Sequence, residues 1–320
     1  MSKGLVTVFG GSGFVGRHVV RALVKDGWRV RVPMRRPHTG HELRVIGNVG
    51  QVQLVQANIR FMRSVERAVE GSDAVINLVG ILFKSGKQSF SAVHAIGART
   101  VAEAAANIGV TNYVHMSAIG ASEDDAASDY AQSKGESERL VREIMPTADI
   151  MRPSIIFGEG DAFFNRFAAM AQLSPALPLI GGDTKFQPVY VANVAEAIAK
   201  VAARGTNGKT YELGGPRVYS FAEMMKFLMT VIDRKRILLP VPWMAANALG
   251  FMGEVAGAMP FVKPFLTRDQ VKSLKSDNIV ADDALSFSDL GIDTETIEAI
   301  VPTYMDRYRK YGQFHERTAS

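Results

Sequence analysis

Apolar residues follow two rhythms along this chain, and the rhythms alternate. Short runs rich in Val, Ile, Leu and Phe lie at 5–9, 29–34, 52–56, 74–78, 113–116 and 149–151. Their length and near-continuous apolar character predict strands buried on both faces. Between them the apolar positions recur with a helical period. The first such stretch covers 14–26, with Val15, Val19, Ala22 and Leu23 on one face, and Gly27 ends it as a left-handed cap. Residues 62–69 are closed by Gly71 and residues 90–108 by Gly109; a helix over 130–143 follows a polar loop at 120–129. Strands and helices alternating with short connections predict an α/β fold, a doubly wound parallel sheet.

Beyond residue 153 the rhythm loosens. Helices are expected over 163–172, 194–203 and 221–232, and strands over 210–213 and 237–241. Pro175, Pro178, Gly181 and Gly182 mark a loop, and Ser220 with Glu223 reads as a capping box. Residues 243–262 are apolar and rich in small side chains, but Asn247, Glu254 and three glycines interrupt them and Pro260 ends them. The stretch therefore reads as an amphipathic helix rather than a membrane span. Met244, Ala248, Phe251, Met252, Val255 and Met259 form one stripe, and Asn247, Gly250, Glu254 and Gly257 the opposite one. Such a helix either packs on its own domain or serves as a lid or a surface for a membrane or partner. The pattern divides the chain into a dinucleotide-binding domain over 1–160 and a smaller substrate or interaction domain over 161–320.

Composition narrows the chemistry. The 320 residues are 47% hydrophobic and 22% charged, with no cysteine. Disulfides, thiolate catalysis and cysteine-ligated metals are excluded. The formal charge of +5 favours phosphate-bearing ligands or an anionic membrane surface. No basic run interleaved with aromatics supports nucleic-acid binding. The histidines at 18, 38, 41, 94, 115 and 315 show no ligand spacing, so no metal is expected. The first strand begins at Leu5, and no signal or transit peptide is expected.

The first strand runs directly into Gly10-Gly11-Ser12-Gly13-Phe14-Val15-Gly16. In a strand–turn–helix context these glycines make a tight turn, admit a pyrophosphate to the backbone and let helix pack closely on strand. The helix then aims free N–H groups at the phosphates. After the second strand stand Arg35 and Arg36 with no acid nearby, which favours NADP(H), with NAD(H) as the alternative. Tyr130 and Lys134 are one turn apart, so they share a helix face. A lysine ammonium beside the phenol would favour phenolate and let Tyr130 act as acid or base nearer neutral pH. Phe157, Phe163, Phe186 and Gln187 are candidates for a pocket in the second domain.

The glycine turn, Val75–Gly80, Val114-His115-Met116-Ser117, Tyr130-Ala131-Gln132-Ser133-Lys134, Arg152-Pro153, Phe157-Gly158 and Gln187–Ala195 together resemble the extended and atypical short-chain dehydrogenase/reductase superfamily. The resemblance implies a Rossmann-type sheet with a smaller, intertwined C-terminal domain, residues 186–205 returning to the first domain. It adds Asn58, Ile59, Leu78, Val79, Gly80 and Pro153 to the cofactor site. It makes Tyr130 the acid/base, Lys134 its partner and ribose anchor, and Ser117 the carbonyl donor, although Ala118 stands where that hydroxyl is usual. Leu266–Val271, Asp289-Leu290-Gly291-Ile292 and Tyr304–Arg309 resemble the nucleotide-binding accessory subunit of respiratory complex I and its bacterial relatives. That likeness implies a structural or regulatory role for bound NADP(H) in the respiratory chain or ubiquinone metabolism. It implies a bacterial cytoplasmic protein, peripheral on the inner membrane, with residues 243–262 meeting complex I or the membrane surface. The alternative is an active NADPH-dependent reductase, epimerase or dehydratase on a small carbonyl, sugar-nucleotide or isoprenoid substrate.

Overall fold

The computed structural model describes residues 3–84, 86, 88–124, 128–257 and 266–314. In chain order they form β1 (Leu5–Phe9), α1 (Phe14–Lys25), β2 (Arg29–Met34), α2 (His41–Arg44), β3 (Val52–Gln56), α3 (Met62–Val69), β4 (Ala74–Asn77), α4 (Ile96–Asn107), β5 (Asn112–Met116), α5 (Asp129–Ile144) and β6 (Asp149–Pro153). Then come β7 (Ile156–Phe157), α6 (Phe164–Leu173), β8 (Ala176–Leu179), β9 (Lys185–Phe186), β10 (Val189–Tyr190), α7 (Val191–Arg204) and β11 (Thr210–Leu213). The chain ends with β12 (Tyr219–Ser220), α8 (Phe221–Val231), β13 (Ile237–Pro240), α9 (Trp243–Gly257), α10 (Arg268–Ser273) and α11 (Ile297–Ile300). A π-helical turn, Ser91–Ala95, leads into α4.

Seven strands form one parallel sheet in the order β11-β6-β5-β4-β1-β2-β3. The chain leaves β1 for β2 and β3 on one side, then crosses to β4 on the other. That reversal opens a crevice at the carboxyl ends of β1 and β4, where Phe9 lies opposite Asn77. Every residue of β1 is buried, as an unbroken apolar run must be in a sheet covered on both faces. Phe9 and Val75 pack with Val65 and Val69 of α3, Val101 of α4 and Val141 of α5.

The chain separates into two units. The first comprises Met1–Pro153, Ala192–Leu213 and Ala281–Asp293; the second comprises Ser154–Val191, Gly214–Val280 and Thr294–Ser320. The first unit thus takes its sheet's last strand, β11, from far along the chain. The sequence predicts a boundary at residue 160 with residues 186–205 returning to the first domain; this division runs at Pro153 and returns Ala192–Leu213 and Ala281–Asp293.

In the second unit, Phe157, Phe164, Phe186, Phe221, Met224 and Leu228 are buried together, and Ile297, Val301 and Met305 close the same core. The loop expected around Pro175 and Pro178 is instead strand β8, paired in parallel with β13. A two-stranded ribbon leaves half of its backbone groups facing away, so Pro178 costs no ladder bond there. Helix α8 begins with the expected capping box of Ser220 and Glu223.

Helix α9 shows which of its two stripes faces inward. It packs through its small residues: Ala246 and Gly250 are buried, while Met244, Phe251, Met252 and Val255 are exposed. A Cβ on Gly250 would lie 2.8 Å from the Arg268 backbone nitrogen, and one on Gly253 2.0 Å from the Leu266 carbonyl oxygen. Glycine lets the two backbones approach, and the bulky stripe is left outward. Met259 and Pro260 lie outside the described residues. No described helix is long and apolar enough to cross a membrane.

Candidate functional site

Because the sheet is parallel, the segments after β1, β2, β3, β4, β5 and β6 all emerge at one edge of the first unit. These segments carry the residues singled out from the sequence: Gly10–Gly16, Arg35 and Arg36, Asn58 and Ile59, Leu78–Gly80, Ser117, and Pro153 at the end of β6.

The glycine turn is bound by its own backbone. The Gly11 N–H donates to the Val8 carbonyl at 3.3 Å and the Gly13 N–H to Gly10 at 2.9 Å. Gly10 has φ +79°. A Cβ there would lie 2.9 Å from the Leu78 carbonyl carbon, and one on Gly16 only 2.1 Å from the Gly10 oxygen. Helix α1 starts from Gly13 with no side-chain cap and no acid in its first turn. Only glycine lets turn and helix pack this closely, and the leading N–H groups and positive dipole end of α1 suit a pyrophosphate. These residues fit a nicotinamide dinucleotide.

The neighbouring segments hold the cradle's wall. The Leu78 N–H donates to the Phe9 carbonyl at 2.9 Å, and the Val79 N–H to Asn77 Oδ1 at 3.1 Å. Asn58 Oδ1 accepts the Arg60 N–H at 3.1 Å, an Asx turn that fixes its side chain. Ile59 packs on Gly97 of α4. Arg35 and Arg36 are exposed and enter no ion pair among the described residues.

Helix α5 carries Tyr130 and Lys134. Ser128 caps it, accepting the Ala131 N–H at 3.2 Å. Tyr130 is partly buried and Lys134 is 3% exposed. Burial pushes the Tyr130 hydroxyl up to about 12. Lys134 donates to the Met116 carbonyl at 2.9 Å. Burial brings the lysine down to about 8, with Glu138 acting in the opposite sense. Four residues on, Glu138 is held by Arg152 at 2.7 Å. Ser117 is 3% exposed, and its Oγ has no hydrogen-bond partner among the described residues.

Two histidines that the sequence did not single out flank this pair. Buried His94 accepts the Ile81 N–H through Nε2 at 2.9 Å and contacts Ser133 Oγ through Nδ1 at 2.8 Å. His115 Nε2 meets Ser137 Oγ at 3.1 Å. Burial and the Lys134 charge hold His94 at about 3 and His115 well below the usual range, so both are neutral. The available signal was positional: His94 lies one turn after Phe90 on the inward face of a predicted helix.

The residues named near a second-domain pocket are themselves packed or hydrogen-bonded within the second unit. Phe157 and Phe186 are buried in the second unit's core, with Phe163 packed against it. Gln187 donates to the Gly215 carbonyl at 2.8 Å and accepts the Val280 N–H at 3.0 Å. Phenylalanine spacing marks apolar surface but does not distinguish a pocket wall from a packed core. Among the described residues, no group of His, Asp and Glu could hold a metal.

A parallel sheet with a glycine cradle at its switch point defines a dinucleotide-binding α/β protein. The chain belongs to the NAD dependent epimerase/dehydratase family, which it matches over residues 6–214. Over 99% of its length it is 33% identical to the mitochondrial NADH dehydrogenase [ubiquinone] 1 alpha subcomplex subunit 9 of Arabidopsis thaliana, covering 81% of that protein. It is 31% identical to the ceramide reductase of Caulobacter vibrioides over 75% of this chain and 74% of that one. The fold is shared with the NADPH-dependent quinone oxidoreductase QOR2 of Escherichia coli, complexed with NADPH, at TM-score 0.74 and 19% identity, covering 94% of this chain and 99% of that one. The protein is thus a short-chain dehydrogenase/reductase-like member related to a complex I accessory subunit.

Proposed function

We propose that this protein binds NADP(H) as a structural or regulatory ligand and serves the respiratory chain or quinone metabolism as an accessory protein of complex I. The observation that carries this reading is the direction of Lys134: its ammonium is engaged by the Met116 carbonyl, while Tyr130 keeps its proton to about pH 12. Both observations favour a held nucleotide over acid/base turnover by Tyr130. The full-length likeness to a complex I subunit supports the same reading. Arg35 and Arg36, exposed after β2, support a 2′-phosphate and hence NADP(H) over NAD(H). The outward apolar face of α9 supports a peripheral position on the inner membrane of a bacterial cell.

A second reading rests on Ser117. Its buried hydroxyl has no hydrogen-bond partner among the described residues, and a carbonyl oxygen brought to it would satisfy it. A bound nicotinamide would supply hydride. Tyr130 would pass its phenolic proton to the same oxygen, and Lys134 would hold the ribose side of the ligand. The likeness to a ceramide reductase supports a reductase acting on a small carbonyl or isoprenoid-like substrate.

One experiment separates the two. The protein is recovered from gently lysed cells, resolved on native gels and assayed for bound nucleotide and NADPH oxidation. The accessory reading expects comigration with complex I, retained NADP(H) and no turnover. Recovery only as a free protein that oxidises NADPH with a carbonyl acceptor would overturn it. Tyr130→Phe should then abolish that turnover while changing NADPH affinity by less than about threefold, because the phenol acts in the chemical step rather than in cofactor binding.

A further inference from the structure

Three segments of the first unit meet at one imidazole. The π-helical turn Ser91–Ala95, closed by the Ile96 N–H donating to the Ser91 carbonyl, brings His94 inward. Such turns are rare and are frequent at functional sites. The ring stacks on Phe90 at 5.5 Å between centroids and meets Tyr130 edge-on at 5.5 Å. Its two nitrogens reach different elements. Nε2 takes the Ile81 N–H, which belongs to the segment that follows β4 and the cofactor-facing Leu78–Gly80. Nδ1 contacts Ser133 on α5, between Tyr130 and Lys134.

The hydrogen-bond chain fixes the proton. A backbone N–H can only donate, so Nε2 is the bare nitrogen. Ser133 gives its own proton to the Tyr130 carbonyl at 2.8 Å, so its oxygen accepts from Nδ1–H. Every donor in the chain then has an acceptor, and only one tautomer satisfies it. Gly80 lies beside this junction: a Cβ there would sit 3.5 Å from both His94 Nε2 and Lys134 Nζ.

We propose that His94 is a positioning residue: a neutral latch that sets the backbone at Gly80–Ile81 against the Tyr130–Lys134 face of α5, and so fixes the width of the nucleotide site. This rests on the reading of that site as a nicotinamide-nucleotide pocket. A phenylalanine can replace the ring and its stacking but accepts no hydrogen bond. A glutamine places an acceptor where Nε2 stands and keeps a donor beside Ser133.

The test uses the full-length protein and NADPH as the probe. Fluorescence titration should show NADPH binding about tenfold weaker in His94→Phe than in wild type, with most of the loss recovered in His94→Gln. Hydrogen exchange should show the Ile81 amide protected in wild type, unprotected in His94→Phe and protected again in His94→Gln. The imidazole ¹⁵N spectrum of the wild type should show His94 with a protonated Nδ1 and bare Nε2 at neutral pH. If wild type binds no nicotinamide nucleotide, the pocket reading fails, and the exchange and ¹⁵N measurements still decide the latch. Wild-type NADPH affinity and a protected Ile81 amide in His94→Phe would overturn the latch, as would a wild-type spectrum with the proton on Nε2. Should His94→Phe not fold, Ser133→Ala takes its place: it removes the Nδ1 acceptor together with that hydroxyl's bond to the Tyr130 carbonyl and should weaken NADPH by a few fold, and unchanged binding there would count against the proposal.

Discussion

Lys134 carries a charge in a place that resists it. It is 3% exposed, with two neutral histidines nearby and Glu138 as its helpful neighbour. Its ordinary value of 10.5 falls to about 8 in the folded protein. Between these values the unfolded chain holds a proton that the folded chain has released. Stability therefore rises as pH rises through that window, and below about pH 8 the penalty for burying the charge is fully present. Lys134→Met should raise stability at pH 7 by about 3 kcal/mol, the order that a depression from 10.5 to about 8 represents. It should also flatten the rise between pH 8 and 10.5. Urea unfolding at a series of pH values checks both, and a variant that keeps the rise would assign it to another group. The unfavourable charge is retained at a site where it would hold a ligand, which is where such costs are expected.

At the scale of one element, α9 shows that a sequence stripe does not say which face a helix buries. The small face wins because Ala246, Gly250 and Gly253 let the helix backbone approach residues 266–268. The bulky face is left with Met244 at 88% and Met252 at 65% exposure. Cations border it: the Arg268 guanidinium lies 5.3 Å from the Phe251 ring and the Lys275 ammonium 5.6 Å from the Trp243 ring. An apolar face rimmed by cations fits the interface of an anionic bilayer. The double variant F251D/M252D should fold with a Tm within about 2 °C of wild type, since exposed positions contribute little to stability. Its binding to phosphatidylglycerol-containing vesicles should fall by at least tenfold, because each inserted side chain is worth about 1.5 kcal/mol or more. Cosedimentation measures this, and undiminished binding would remove α9 from the membrane contact.

At the scale of the whole molecule, the chain builds each unit from separated segments. Ala192–Leu213 and Ala281–Asp293 return to the first unit, and Thr294–Ser320 completes the second. Met305, near the end of the described chain, is fully buried in the same core as Phe157 and Phe221. Met305→Ala should cost about 2–5 kcal/mol, the usual range for truncating a buried methionine. A drop in the urea midpoint without change in slope would confirm a packing loss, and an unchanged midpoint would show that residues 294–314 are dispensable to that core.

What the sequence determined by itself is local. The alternation of buried runs and helical periods, the glycine spacing after β1, the left-handed cap at Gly27 and the Tyr130–Lys134 face depend on residues within a turn or two of one another. Local sterics and periodicity suffice for these. The tertiary structure decided where alternatives competed across long separations. Lys134 found the Met116 carbonyl, 18 residues away in sequence. His94 found Ser133 across 39 residues. Phe157, Phe163 and Phe186 could line a pocket or pack together, and the arrival of Phe221 and Met305 packed them. Such outcomes depend on which surfaces the rest of the chain leaves available, because an apolar or charged side chain specifies the kind of partner it needs and not its address.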